Sequence, residues 1–331
     1  SPSKPQDTPL SYRLHSAKTW RGGLRLPNVV SGLPLKRVSA ASMLESANAP
    51  QMNYPCRLAA PVNCHVSKVY RTSITRTNEE VVMLFKQLFE PESSTYTYLL
   101  GCPQTGRAVL LDPVLETIER DLKTIQELGL HLAYTMETHI HADHVSSARK
   151  LKTLTGSQIV APAMDQLPCA DIGVTEGKAF TSGSITLWPL FTPGHTNSHH
   201  SYLLDMSVIK CVFTGDALLI DGCGRTDFQN GDPISLFNSI HQKLFVLPDD
   251  TLVYPAHDYQ NRHVSSIAQE KERNPRLSRN NIESFVAVMS GLNLPYPKKM
   301  DFAVPANLAC GECPHNLPEE MKKLCDSALQ G

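Results

Sequence analysis

Short apolar runs over residues 81–89, 95–101 and 107–112 are separated by turn-forming Pro, Ser and Gly, which predicts three strands in a meander. Leu115, Ile118, Leu122, Ile125 and Leu128 then recur at spacings of three and four, the pattern of an amphipathic helix, with Gly129 at its C-cap. Residues 130–136 read as a buried strand, and 145–154 as a short helix ended by Gly156. Further strands are predicted over 184–192, 201–204, 209–214 and 251–254. Helices are expected where Ile234, Phe237, Ile240 and Leu244 recur, and over 281–289. Helices thus alternate with strands, the first of which are close enough in sequence to pair antiparallel. The fold class is α/β (α+β), with mixed sheets covered by helices. No internal repeat is visible.

Composition divides the chain unevenly. Residues 1–78 hold eleven Lys and Arg against two acids, Asp7 and Glu45, so the remainder is acidic although the whole carries −1. Arg13, Lys18, Arg21, Arg25, Lys36 and Arg37 are spread through Ser/Thr-rich sequence in the manner of an organelle transit peptide. Few aromatics interrupt it and no compact basic cluster exists beyond Lys36-Arg37, which argues against nucleic acid as a partner. No window of 18 consecutive apolar residues occurs, so no membrane helix is expected and the chain should be soluble. The nine cysteines are odd in number and scattered, unlike a secreted disulfide framework, and fit a reducing compartment. Cys310-Gly-Glu-Cys313 with His315 lacks a second ligand pair for zinc, so these read as ordinary thiols in a C-terminal tail. The expected domains are a 1–78 extension, a folded domain over 79–310 and a tail over 311–331.

The chemistry gathers at Thr138-His139-Ile140-His141-Ala142-Asp143-His144, where four metal-ligating side chains fall within six positions. His139 and His141, two apart at a strand end, should project to one side, and Asp143 should sit at the N-terminus of the following helix. Three more candidates arrive the same way. His195 follows a Pro-Gly turn after a strand, Asp216 ends Phe213-Thr214-Gly215, and His257 follows Tyr254-Pro255-Ala256. Seven nitrogen and oxygen donors suit one or two hard or borderline metals.

This order of ligands resembles the metallo-β-lactamase superfamily, and the resemblance covers about residues 83–310 of the chain. It implies an αβ/βα sandwich, two mixed sheets flanked by helices. Gly222-Cys223-Gly224-Arg225-Thr226-Asp227-Phe228, Pro255-Ala256-His257-Asp258-Tyr259 and Asn274-Pro275-Arg276-Leu277 are similar to the persulfide dioxygenases, the branch related to glyoxalase II. Leu111-Asp112-Pro113-Val114 and Asp301-Phe302-Ala303-Val304-Pro305-Ala306-Asn307 also read like that family. The resemblance implies one Fe(II) per chain held by His139, His195 and Asp216, with His141, Asp143, His144 and His257 acting catalytically around it. It also implies glutathione contacts from Arg225, Tyr259 and Arg276. The expected reaction takes glutathione persulfide and O2 to sulfite and glutathione in the mitochondrial matrix, with a plastid as the alternative compartment; a homodimer is left open.

Two positions depart from the family pattern. Ser198-His199 stands where Gly-Cys is common, and Asp221 where Arg precedes Gly-Cys-Gly-Arg. The rival expectations are a dinuclear hydroxyacylglutathione hydrolase like glyoxalase II and a catalytically silent metal-binding protein.

Overall fold

The computed structural model describes residues 67–72, 81–206, 209–278, 281–315 and 317–330. Seven strands form the first sheet in chain order: β1 (Ser67–Thr72), β2 (Val81–Glu90), β3 (Thr95–Cys102), β4 (Arg107–Leu111), β5 (His131–Met136), β6 (Gln158–Pro162) and β7 (Ile172–Val174). Pairing is antiparallel from β1 to β4 and parallel from β4 to β7. The second sheet contains β8 (Phe180–Ser182), β9 (Ile185–Phe191), β10 (His200–Met206), β11 (Ile209–Gly215), β12 (Leu252–Pro255) and β13 (Ser265–Ser266), in the order β13-β12-β11-β10-β9-β8. Its pairs are antiparallel except β11 with β12.

Period-two alternation decides which face each strand residue serves. Val109 and Leu111 of β4 join Phe85, Tyr98 and Met136 against Leu187, Tyr202, Phe213 and Tyr254, so one buried cluster fills the space between the sheets. The intervening residues Ala108 and Leu110 face outward, onto Ile118 and Ile125 of α1 (Ile118–Glu127) and Leu151 of α2 (Ala148–Thr155). On the far side, Val212 and Val253 meet Leu236 of α3 (Pro233–Ser239), Ile240 and Leu244 of the π turn that continues it, Ile267 of α4 (Ile267–Arg273) and Phe285 of α5 (Ile282–Ser290). Helices therefore cover both outer faces. The resulting αβ/βα sandwich is the architecture the resemblance implies.

Several elements differ from the sequence reading. Helix α2 begins at Ala148 with Ser147 before it, so Asp143 lies in a loop and not at a helix N-terminus. That loop is held from outside: the Leu115 amide donates to Val145 O at 2.9 Å, and Asn307 takes up neighbouring groups. Strand β1 pairs with β2 although it lies inside the segment read as an extension. Of that extension, residues 1–66 and 73–78 lie outside the described residues. The segment read as a tail carries α7 (Glu319–Gln330), whose Cys325 is fully buried among Leu115, Val145 and Phe302, Ala303 and Ala306 of α6 (Met300–Leu308). The thiol reading is corrected as well, because Cys169 bonds to Cys310 and Cys313 to Cys325. The first bridge spans 141 residues, a proximity that only the tertiary fold creates.

Candidate metal centre

Each candidate ligand stands just beyond a strand end, where the sheets stop and loops converge. His139 follows β5 by three residues, His195 follows β9 on its Pro-Gly turn, Asp216 comes directly after β11, and His257 comes two residues after β12. Hydrogen bonds sew these ends together across the two sheets. The Tyr96 amide donates to Ala256 O at 2.7 Å and the Ala256 amide to Gly215 O at 3.0 Å. Donor atoms of His139, His195 and Asp216 consequently lie within 4.8 Å of one another, and those of His141, Asp143 and His144 form a second such group.

The hydrogen bonds also orient the imidazoles. Thr138 Oγ1 donates to Asp112 Oδ2 at 3.0 Å, so it accepts from His139 Nδ1 at 2.9 Å and leaves the Nε2 lone pair for a ligand. His195 Nδ1 donates to Arg225 O at 2.8 Å, which frees Nε2 in the same way, 3.3 Å from Asp216 Oδ2. His144 Nδ1 pairs with Asp143 Oδ2 at 2.8 Å, while His257 Nε2 lies 3.5 Å from Asp216 Oδ1 and 3.7 Å from Asp143 Oδ2. His141 turns its Nε2 toward Asp112 Oδ1 at 3.1 Å and Glu137 Oε2 at 3.4 Å.

Burial sets the charges. Together with the imidazoles of His141 and His195, it holds His139 well below the usual histidine range, so His139 is a neutral donor. Burial would lower His141 too, but Asp112 and Glu137 outweigh it and hold that ring well above its ordinary value. Asp143, which burial would raise, is held well below the carboxylate range by His144 and His257. His257 is raised, because Asp216 and Asp143 overcome its desolvation. His199 is fully buried beside His139 and His195, and burial with its imidazole neighbours keeps it neutral.

The residues fit a bound metal. His141 Nδ1, His144 Nε2 and Asp216 Oδ1 are buried without a hydrogen-bond partner. Each such atom costs about 1–3 kcal/mol unless something pairs with it. Four residues with no part in the sequence reading of the site support it. Asp112, which follows β4, accepts from the Thr138 amide at 2.7 Å and fixes the strand end carrying His139. Ser146 Oγ bonds Glu137 Oε1, and Asn307 of α6 donates to the carbonyls of His141 at 2.8 Å and His144 at 2.9 Å while accepting from the Ser146 amide at 2.9 Å. Asp112 and Asn307 were present in family-like stretches, but sequence gave no sign of what they touch.

The Gly222–Arg225 loop packs directly on two of the candidate ligands. The Gly224 amide donates to Asp216 O at 2.8 Å, and a Cβ on Gly224 would come within 2.2 Å of that oxygen and 2.9 Å of His195 Nδ1. Any larger residue would push the loop off both ligands. Of the expected substrate contacts, Arg225 lies over the Phe228 ring at 4.5 Å and pairs with Asp227, Tyr259 is 74% exposed with its ring stacked beside His257, and Arg276 Nη1 donates to Cys223 O at 2.7 Å. Asp221 does not reach Arg225; it pairs with Arg262.

Two helix-covered sheets with a histidine- and carboxylate-lined centre at their joined edge define a protein of the metallo-β-lactamase class, with side chains able to hold a metal there. The sequence model described as the metallo-beta-lactamase superfamily matches residues 91–257. The chain is 47% identical over 230 residues to human mitochondrial persulfide dioxygenase ETHE1, covering 69% of this chain and 89% of that protein. The crystal structure of ETHE1 from Myxococcus xanthus superposes with a TM-score of 0.66 at 50% identity, covering 69% of this chain and 99% of that one. A Brucella anthropi hydroxyacylglutathione hydrolase is more distant, 38% identical over half of this chain and 62% of its own length. The chain belongs to the persulfide dioxygenase family within the metallo-β-lactamase superfamily.

Proposed function

We propose that the protein is an Fe(II)-dependent mitochondrial persulfide dioxygenase that converts glutathione persulfide, O2 and water to glutathione and sulfite. The observation that carries this reading is the convergence of His139, His195 and Asp216 donors within 4.8 Å, a two-histidine, one-carboxylate set that leaves positions for two further reactants. When bound, the iron supplies a redox-active centre at which O2 and a sulfur anion can meet. Kinship with relatives named as persulfide dioxygenases supports the activity, and their mitochondrial naming supports the compartment.

His139 and His195 turn their Nε2 atoms to the centre because Thr138 and the Arg225 carbonyl engage the opposite nitrogens. The reaction oxidises the terminal sulfur with four electrons taken by O2, adds one oxygen atom from water and releases protons. His257 Nε2, between Asp216 and Asp143, is placed to receive one. Asp143 fixes His144 through the 2.8 Å contact, and His141 and Glu137 close the centre from behind. Arg225, Tyr259 and Arg276 are assigned to glutathione, with guanidinium forks suited to its carboxylates.

One observation favours a second reading. His141, Asp143 and His144 could take another metal, as a dinuclear hydroxyacylglutathione hydrolase requires. Anaerobic purification followed by metal analysis and oxygen uptake decides between the two. About one iron per chain with O2 consumption on glutathione persulfide is expected. Two zinc ions per chain, thioester hydrolysis and no oxygen uptake would overturn the dioxygenase.

A further inference from the structure

His199 is fully buried, belongs to none of the converging donor groups and yet lies against all three residues assigned to the iron. Its Nε2 accepts the backbone N–H of Asp216 at 3.1 Å. Its ring lies against that of His139, with centroids 5.0 Å apart and planes at 33°, and meets His195 edge-on at 6.3 Å. An imidazole that accepts at Nε2 must carry its proton on Nδ1, and Nδ1 faces Thr192 Oγ1 at 2.9 Å. Thr192 Oγ1 lies 2.9 Å from Ser201 Oγ, which donates to Thr214 O at 3.3 Å. The ring is therefore held from the ends of β9 and β11 at once.

The backbone around it makes room. Gly215 has φ +51°, and a Cβ there would stand 2.5 Å from His199 Nε2 and 2.9 Å from Thr138 Oγ1. Glycine at 215 thus lets the imidazole reach the Asp216 amide while Thr138 reaches His139. Ser198-His199, the departure from the family's Gly-Cys, occupies this place.

We infer that His199 is a positioning residue of the metal centre: it fixes the Asp216 backbone through Nε2 and braces the His139 ring, so that both donors point at one spot. The inference rests on the metal centre proposed above and gives His199 no contact with substrate.

Cobalt(II) titration of the metal-stripped full chain, followed by the visible ligand-field spectrum and thermal unfolding of the metal-free form, tests it. His199→Leu keeps an apolar volume but cannot accept from the Asp216 amide. It is expected to weaken cobalt binding about 10- to 100-fold, as loss of a ligand-orienting partner does, and to alter the spectrum. His199→Gln can place Oε1 near the lost Nε2 and should recover much of the affinity and the native band pattern. If His199→Leu does not fold, the Gln variant still decides: near-native spectrum and affinity support the inference, and losses as deep as those of Asp216→Ala overturn it. A folded His199→Leu protein with unchanged affinity and spectrum also overturns it. A wild-type chain that takes up no cobalt overturns the metal centre and this role with it, an outcome distinguishable from failure of the variant alone.

Discussion

Arg225 grips Asp227 with two parallel hydrogen bonds, Nε to Oδ1 and Nη2 to Oδ2, each 2.7 Å long. Nη1 is held by Pro295 O at 2.8 Å, so all three guanidinium nitrogens have partners. A substrate carboxylate that uses the Nε–Nη2 side of the guanidinium has to displace Asp227 to form its own fork. Exposed pairs are worth about 0.2–1 kcal/mol, so Asp227→Asn should lower the KM for glutathione persulfide up to about fivefold. Arg225→Ala should raise it, by about 10- to 150-fold if the fork reaches a carboxylate. Metal content should be unchanged in both. A KM in Asp227→Asn equal to or above that of the native chain contradicts the competition.

Asp216 and His257 should part company on mutation. Asp216 belongs to the group of converging donors, whereas His257 stands 3.5 Å behind its carboxylate. Asp216→Ala is expected to lose metal outright, and His257→Ala to keep it while turning over slowly. Metal analysis of the two purified variants checks this; equal losses would place His257 among the ligands.

Asn307 joins a C-terminal helix to the loop of four candidate donors through three hydrogen bonds. Asn307→Ala leaves those loop groups unpaired at about 1–3 kcal/mol. Asn307→Asp should do more damage than Ala, because a carboxylate would face the carbonyls of His141 and His144 in place of a donor. Denaturant unfolding and metal affinity of both variants measure the order.

Strand β1 covers the edge of β2. A chain starting at residue 79 should retain its turnover per folded molecule, since every described donor of the centre lies further on, but it exposes that edge to other chains. Light scattering during incubation should show faster aggregation than for a chain starting at residue 62. Identical aggregation would mean that β1 does not protect the edge.

Acid should erode one specific anchor. Burial would raise Glu90, but the Ser93 hydroxyl and amide and the Glu92 amide, with Lys299 nearby, hold its carboxyl below the ordinary 4.5. A carboxylate depressed by folding stabilises fully above its unfolded value, and this contribution fades as pH falls from there through the folded one. Urea midpoints measured from pH 7 down to pH 3 should therefore fall less steeply for Glu90→Gln than for the native chain. Parallel curves would remove Glu90 from the acid response.

What the sequence disclosed and what it hid have different physical origins. The converging donors were legible because the segments that carry them follow period-two runs and turns, and such local patterns survive without tertiary information. Both helix stops, at Gly129 and Gly156, were legible for the same reason. The start of α2 was misjudged because its preceding loop is held by the Leu115 amide and Asn307, partners 30 and more residues away in sequence. Ser198-His199 was visible only as an irregularity, since its meaning depends on Gly215 leaving room for the ring. The bridge between Cys169 and Cys310 was hidden in the same way, because nothing near either cysteine records the other.

That bridge, with the Asn307 bonds beside it, makes the centre a late product of biosynthesis. His141 and the side chain that secures its carbonyl are separated by 166 residues, and Cys310 must meet Cys169 after the whole second sheet has been made. A nascent chain can carry every candidate donor and still lack the fastening of the loop that presents four of them. Metal uptake at this centre should thereby depend on completion of the polypeptide, and a chain that ends prematurely is expected to keep its histidines and yet hold metal loosely.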